Sequence, residues 1–375
     1  MTEIYKGLAG VTVDETKISN IIFEESTLTY HGYPVQELAK SCCFEEVAYL
    51  LWHGELPTSQ ELDHFQKTER SYRAVSDDAL SVLRTFRSDA HPMDTIRTAV
   101  SYLGTQDPHW EDNTREGLLD KALKLMAQIP TLVAADYRLR NGKEPIAPRD
   151  DLSFAENFFH MYFGEVPSNE VVKAFDASLT FYAEHSFNAS TFTARTIISS
   201  LSDIYSAVTG AIGSLKGPLH GGANEAVMHT LLEIGSADKA EAWIRDAITN
   251  KRLVMGFGHR VYRNGDSRVP YMTEYYHKTA QHLGAEHWVE ISNILEKVMV
   301  EEKGIHPNLD FPVGPTYYIM GFDIPVFTPI FVMSRITGWT AHIIEQLSNN
   351  KLVRPLSKYT GADKRHVAPL EQRAA

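Results

Sequence analysis

At 375 residues, 43% of them hydrophobic and 22% charged, the chain is long enough for more than one hydrophobic core and is ordinary in composition for a soluble globular protein. Its net charge of -12 argues against nucleic acid as a partner, since phosphate binding needs a concentrated basic face; an anionic small molecule stays open if arginines gather locally. The only two cysteines, Cys42 and Cys43, are adjacent, which rules out a disulfide framework and points to a reducing compartment.

The first residues, "MTEIYKGLAG", lack the basic and then apolar pattern of an export signal, and the chain reads as cytoplasmic. β-prone pieces occur only near the start, in "GVTVDET" and "TLTYHGYPV", where Gly32 and Pro34 mark tight turns. From there the periodicity is helical. "HPMDTIRTAVSYLG" puts Met93, Ile96, Val100 and Leu103 on one face, with Pro92 near the start and Gly104 just past the end. "PSNEVVKAFDASLTFYAEH" repeats the pattern with Val172, Phe175, Leu179 and Tyr182. "SDIYSAVTGAIGSLKG" carries Ala207, Gly210, Ala211, Gly213 and Ser214, small enough for another helix to approach closely, within the chain or from a second copy. The most apolar long run, "FTPIFVMSRITGWTAHIIEQL", contains Arg335, His342 and Glu345, which argues against a membrane span. The predicted class is all-α with minor β near the N-terminus and no βαβ rhythm. Punctuation at Gly217 to Gly222 and around "HPNLDFPVGPTYY" divides the chain into a large domain, residues 1–221 and 323–375, and a smaller inserted one, residues 222–322.

Polar residues beside glycine or proline concentrate in four stretches: "EHSFNAST" with His185, "GPLHGGANE" with His220, "VMGFGHRVYRNGDSR" with His259 and Arg268, and "NLDFPVG" with Asp310. Arg335 in "MSRITGW" and Arg354 in "LVRPLSKYTG" follow. Each alone says little, because a histidine near a helix end is more often a satisfied structural residue than a catalyst. Familiar templates fail. "HGG" has no G-x-S-x-G elbow to accompany it. "GFGHRV" has Val261 where a dinucleotide fingerprint needs its third glycine. There is no H-E-x-x-H, and His277, His282 and His287 are spaced so as to scatter around a helix.

Taken together and in order, these stretches resemble the citrate synthase family, including the 2-methylcitrate synthases. The resemblance begins at "GLAGVTVDETKIS", continues through "LTYHGYPVQELA" and "FEEVAYLLWHGELP", and ends at "RPLSKYTG", nearly the whole chain. It implies a helical large domain, a small domain that closes over the substrates, and a homodimer built on packed helices. It implies a reaction that joins an acyl-CoA to oxaloacetate and then hydrolyses the thioester, with no metal and no permanently bound cofactor. A thioester α-carbon gives up its proton only if a base removes it while a donor stabilises the oxygen of the forming enol.

By this resemblance Asp310 is the base, His220 the donor to the thioester carbonyl, and His259 the group that polarises and protonates the ketone. Arg268, Arg335 and Arg354 match the carboxylate-binding arginines, with Arg354 reaching across the dimer into the partner's site, and His185 matches a further oxaloacetate contact. Guanidinium forks suit a dicarboxylate better than lysine does. Leu253, Val254, Met255, Gly256, Phe257 and Gly258 resemble the segment whose backbone meets the CoA adenine and pantetheine. Acetyl-CoA and propionyl-CoA differ by one methylene, worth about 1–3 kcal/mol in an apolar pocket. "NLDFPVGPTYYIMGFDI" resembles the methylcitrate-capable members, so an enzyme accepting both is expected. Two other classes compete: a silent helical dimer sensing CoA or a dicarboxylate, which has no need of Asp310, and a metal-dependent aldol or lyase enzyme, which lacks a ligand motif here.

Overall fold

The computed structural model describes residues 4–8, 10–22, 24–259, 262 and 265–373; Val261, weighed above against a dinucleotide fingerprint, lies outside them. Three short strands open the fold, β1 (Ser19–Ile22), β2 (Thr27–Tyr30) and β3 (Tyr33–Pro34), antiparallel in that order, with Ser19 opposite Tyr30 and Ile22 opposite Thr27. β2 and β3 join across His31 and Gly32, whose φ values of 46° and 90° are the left-handed pair that a two-residue hairpin turn requires. The β-prone reading of "GVTVDET" is corrected: residues 11–16 form no strand, and the first strand begins at Ser19. Val11 and Val13 are exposed there, and β propensity without a paired edge leaves the chain extended but unladdered.

Sixteen α-helices follow among the described residues. The first ten are α1 (Val35–Ser41), α2 (Phe44–His53), α3 (Ser59–Tyr72), α4 (Asp77–Arg84), α5 (Pro92–Gln106), α6 (Arg115–Arg140), α7 (Phe154–Phe163), α8 (Asn169–Tyr182), α9 (Ala189–Ile198) and α10 (Ile204–Leu215). α11 (Ala223–Ile234), α12 (Ala237–Thr249), α13 (Val269–Leu283), α14 (Glu286–Lys303), α15 (Asp310–Ile319) and α16 (Phe327–Ser348) complete the set. Their starts are written locally: α3 and α7 open in capping boxes, Thr58 with Glu61 and Ser153 with Glu156, and α5 opens with Pro92. The face foreseen for α5, Met93, Ile96, Val100 and Leu103, is buried. Its end is corrected, because the helix runs through Gly104 to Gln106. A side chain at Gly104 would stand 2.7 Å from Cβ of Tyr205 on α10, so this glycine is a packing contact and not a stop. In α8, Phe175, Leu179 and Tyr182 are buried as expected, while Val172 is only partly so and Val171 faces the core. Of the small residues of α10, Gly210 serves packing within the chain: its Cβ position lies 2.2 Å from Cδ1 of Ile197 on α9.

α6 and α16 pack on each other at the centre, and α16 also touches α2, α8, α9 and α10. Every residue from Phe327 to Ile343 is buried, so the most apolar run of the sequence is a core helix. Each large apolar side chain so buried stabilises the fold by about 1.5–3 kcal/mol. None of the described helices is long and apolar enough to cross a membrane. α11 to α15 pack mainly among themselves, α12 on α14, α11 on α15, and α13 on α14 and α15, while α13 also lies on α8. The chain rejoins the central core at Phe322, whose ring stacks or tilts against Phe158, Phe159, Phe163 and Phe175.

Candidate active site

His185 sits in the turn between α8 and α9, and its neighbours hold it from two sides. Ser19 Oγ donates to Glu184 at 2.9 Å and accepts from the N–H of Ser186, a residue with φ of 49°, at 3.0 Å. The Tyr30 hydroxyl meets the carbonyls of Thr180 and Glu184, both at 3.0 Å. From α16, His342 Nε2 donates to Glu184 at 2.9 Å; its Nδ1 faces Arg195 at 3.0 Å, and a guanidinium can only donate, so the proton sits on Nε2. The N-terminal hairpin and α16 thus clamp the turn that presents His185.

His220 lies in the loop joining α10 to α11. Its N–H bonds Gly217 O at 2.9 Å and that of Gly221 bonds Leu215 O at 2.9 Å, a double reversal in which a Cβ at residue 221 would stand 2.7 Å from that same carbonyl oxygen. Only glycine fits there. The imidazole Nε2 receives the backbone N–H of Ser190 at 3.2 Å and lies 2.8 Å from Ser190 Oγ. A backbone N–H can only donate, so Nε2 is the acceptor and the ring's proton resides on Nδ1.

The segment 253–259 is joined to the run before α15. Gly258 N–H donates to His306 O at 2.8 Å, Asn308 N–H to Gly256 O at 2.9 Å, and the Asn308 amide to Gly258 O at 2.9 Å. Gly256 has φ of 86°, and a Cβ there would meet Val227 Cγ2 at 2.5 Å. This ladder places His259 and Asp310 relative to each other. His259 Nδ1 accepts the N–H of Tyr262 at 3.2 Å, which leaves its proton on Nε2. Asp310, first residue of α15, accepts the hydroxyl of Tyr182 at 2.5 Å.

Arg268 is buried and held side-on by Asp266, Nε to Oδ1 at 2.9 Å and NH2 to Oδ2 at 2.6 Å, with NH1 on the carbonyl of Phe181 at 3.1 Å. Arg335 is buried too. Its Nε donates to the Tyr182 carbonyl at 2.6 Å and its guanidinium lies over the Phe331 ring, 4.8 Å from the centroid.

These groups converge. His185, His220, His259, Arg268, Asp310, Arg335 and all of Leu253–Gly258 line one cleft of ≈ 1570 Å³. Arg354 is the exception: it is exposed, outside the cleft, in an extended tail that leaves α16 and is tied to α9's end by the N–H of Val353 on Ser199 Oγ at 3.0 Å. Among the described residues, no three His, Cys, Asp or Glu side chains are placed to hold a metal ion.

Burial dominates the electrostatics. It lowers His220, with Arg335 adding to the effect, to about 3, and lowers His259, with Arg268 adding, to about 4. His185 is held well below the usual imidazole range by burial and then by Arg268, His259 and Arg335. All three rings are therefore neutral at pH 7, each with one N–H to offer. Asp310 is raised by burial to about 6, against the Tyr182 hydrogen bond and Arg268. Burial brings Arg335 down to about 10, with Glu184 opposing.

Sequence reasoning missed Tyr182, read only as core; Asp266, although it stands two residues before Arg268 in "NGDSR"; and Glu184, Tyr262 and Ser190, which carried no signal beyond adjacency to named residues. It also missed that Gly7, Leu8 and residues 10–14 line the cleft.

A sequence model of the family described as "Citrate synthase, C-terminal domain" matches residues 7–356. A protein of Mycolicibacterium smegmatis named citrate synthase is 56% identical over 362 residues, 96% of each chain. A protein of Mycobacterium tuberculosis named 2-methylcitrate synthase is 56% identical over 363 residues, 97% of this chain and 92% of its own. The ternary complex of carboxymethyl coenzyme A and oxaloacetate with citrate synthase from the archaeon Thermoplasma acidophilum superposes with a TM-score of 0.94 over 100% of both chains at 32% identity.

Proposed function

Since the chain belongs to the citrate synthase family, we propose that its cleft condenses acetyl-CoA and propionyl-CoA with oxaloacetate, giving citrate or 2-methylcitrate and free CoA. The observation that carries the site reading is the pair of opposed tautomers: His220 keeps its proton on Nδ1 and His259 on Nε2, both in a cleft shared with a carboxylate of raised pKa.

The chemistry runs as follows. Asp310 takes a proton from the α-carbon of the acyl-CoA while the His220 N–H lends its proton to the thioester oxygen, to be returned when the carbon–carbon bond forms and the carbonyl is restored, so that an enol forms and no free carbanion does. The enol carbon bonds the ketone carbon of oxaloacetate, and the ketone oxygen takes its proton from His259. Water then cleaves the thioester, leaving a new carboxylate and CoA thiol. Arg268, Arg335 and His185 receive the oxaloacetate carboxylates; a charge introduced beside His259 offsets the Arg268 field that helps depress it. Residues 253–258 receive CoA.

Arg354 belongs to this reading as the contribution of a second copy. Its exposure supports that role, as does the tail around it, where Leu352, Leu356, Tyr359, Val367 and Leu370 are all exposed. The inserted domain, residues 222–322, carries His259, Arg268 and Asp310, and its closure over bound oxaloacetate completes the CoA site. A cytoplasmic location is supported by two free thiols, Cys42 and Cys43. Thiol release with oxaloacetate and each acyl-CoA in turn tests the proposal: turnover of both is expected, turnover of one alone removes the dual specificity, and turnover of neither overturns the reading.

A further inference from the structure

We infer that Tyr182 is the positioning residue of the base: its hydroxyl anchors one oxygen of Asp310 and thereby leaves the other as the proton acceptor. The inference rests on the proposed role of Asp310. The phenol is 2% exposed, ends α8, and stacks on Phe331 with ring centroids 3.8 Å apart, so the ring has no room to swing. It donates to Asp310 Oδ1 at 2.5 Å and accepts from the Asn224 amide at 3.4 Å. Among the described residues no donor reaches Oδ2, which belongs to a side chain lining the cleft. The same residue offers its backbone carbonyl to Arg335 Nε at 2.6 Å, so one side chain and its own peptide tie the base to a carboxylate-binding arginine.

A neutral donor suits this place. The charged groups that face Asp310 are Arg268 and Asp266 ahead of α13 and Arg335 on α16, with the phenols of Tyr182 on α8 and Tyr317 on α15. Burial alone drives the carboxyl upward, and a cation bonded to it would pull it down until it was too weak a base for a thioester α-proton. The phenol stabilises the carboxylate without that excess. Burial and the neighbouring Asp310 hold the Tyr182 hydroxyl well above its ordinary pKa, so it stays protonated and keeps donating.

Tyr182→Phe keeps the stacked ring and deletes the donor. The measurement is kcat/KM for acyl-CoA against pH. The acid limb is expected to move up by about one pH unit, so that the loss is about fivefold at pH 6, approaches tenfold at pH 5 and shrinks towards pH 9, with KM for oxaloacetate within about twofold of wild type. Asn224→Ala, which removes the amide feeding the phenol oxygen, weakens the donor and shifts the limb the same way by less; it carries the test should the first variant not fold. A loss of equal size at every pH, or a limb that stays in place in both variants, overturns the inference. Asp310→Asn separates the two levels: if that variant turns over normally, the base assignment itself has failed, whereas a dead Asp310→Asn with an unmoved limb in Tyr182→Phe refutes only the role of Tyr182.

Discussion

Asp310 is the residue on which the proposed chemistry turns, and its surroundings dictate a pH profile. Burial raises its pKa to about 6, and a base works only when deprotonated. Below about pH 6 kcat/KM for acyl-CoA is therefore expected to fall tenfold per pH unit, since each unit leaves a tenth as much carboxylate. Asp310→Asn removes the proposed base and keeps the shape; turnover is expected to drop by about 10²–10⁴-fold while oxaloacetate binding survives on the proposed carboxylate site of Arg268, Arg335 and His185. Isothermal titration with oxaloacetate alongside the assay checks both halves. Near-normal turnover would assign the base elsewhere. Resemblance at "NLDFPVG" singled out Asp310, which does line the cleft, but its partner was not legible, because Tyr182 stands 128 residues away and reads as one more apolar position on a helix face.

Helix ends reveal a conflict that the proposed function does not require. Asp176, on α8, accepts the N–H of Phe44 at the start of α2 at 3.1 Å, and Glu45 accepts that of Phe154 at the start of α7 at 3.2 Å. The two carboxylates cap neighbouring helices from close quarters. Burial first, and then Glu45, raise the Asp176 pKa well above the ordinary carboxylate range, while the Phe44 N–H opposes them. A carboxyl whose folded pKa is raised contributes stability that is present below its unfolded pKa and is lost as pH rises through the folded one. Asp176→Asn, a neutral mimic, is accordingly expected to melt a few degrees higher than wild type at pH 8, with the gain shrinking towards pH 4. Calorimetry at the two pH values decides it, and a variant that melts lower at pH 8 shows that the cap's charge outweighs its repulsion.

At the scale of the whole molecule, Arg354 stands outside the cleft of its own chain. If a second copy supplies it, each site combines Asp310 of one subunit with Arg354 of the other. Asp310→Ala and Arg354→Ala proteins, each inactive alone, are unfolded together and refolded as a mixture. In a mixed dimer one site collects both defects and the other receives neither. Random pairing makes about half the dimers mixed, so roughly a quarter of wild-type activity is expected to return. If Arg354 serves its own subunit, every site carries one defect and nothing returns, provided tagged purification shows that mixed dimers formed.

The sequence by itself determined the family, the helical class and the residue types at the cleft, because motifs such as "GPLHGGANE" and caps such as Ser153 with Glu156 are local: their meaning is complete within a few residues. Helix faces were legible for the same reason, since period 3.6 needs no tertiary knowledge. Tertiary structure alone decided what those residues can do. The proton of His220 is on Nδ1 because Ser190, 30 residues earlier, donates to its other nitrogen, and Gly104 is a contact because Tyr205 packs on it. It also moved the first strand from "GVTVDET" to Ser19, where β2 supplies a pairing edge. Donor direction, charge pairing and strand pairing are relations between distant parts of the chain, set by which surfaces the packed helices and hairpin bring within hydrogen-bond reach.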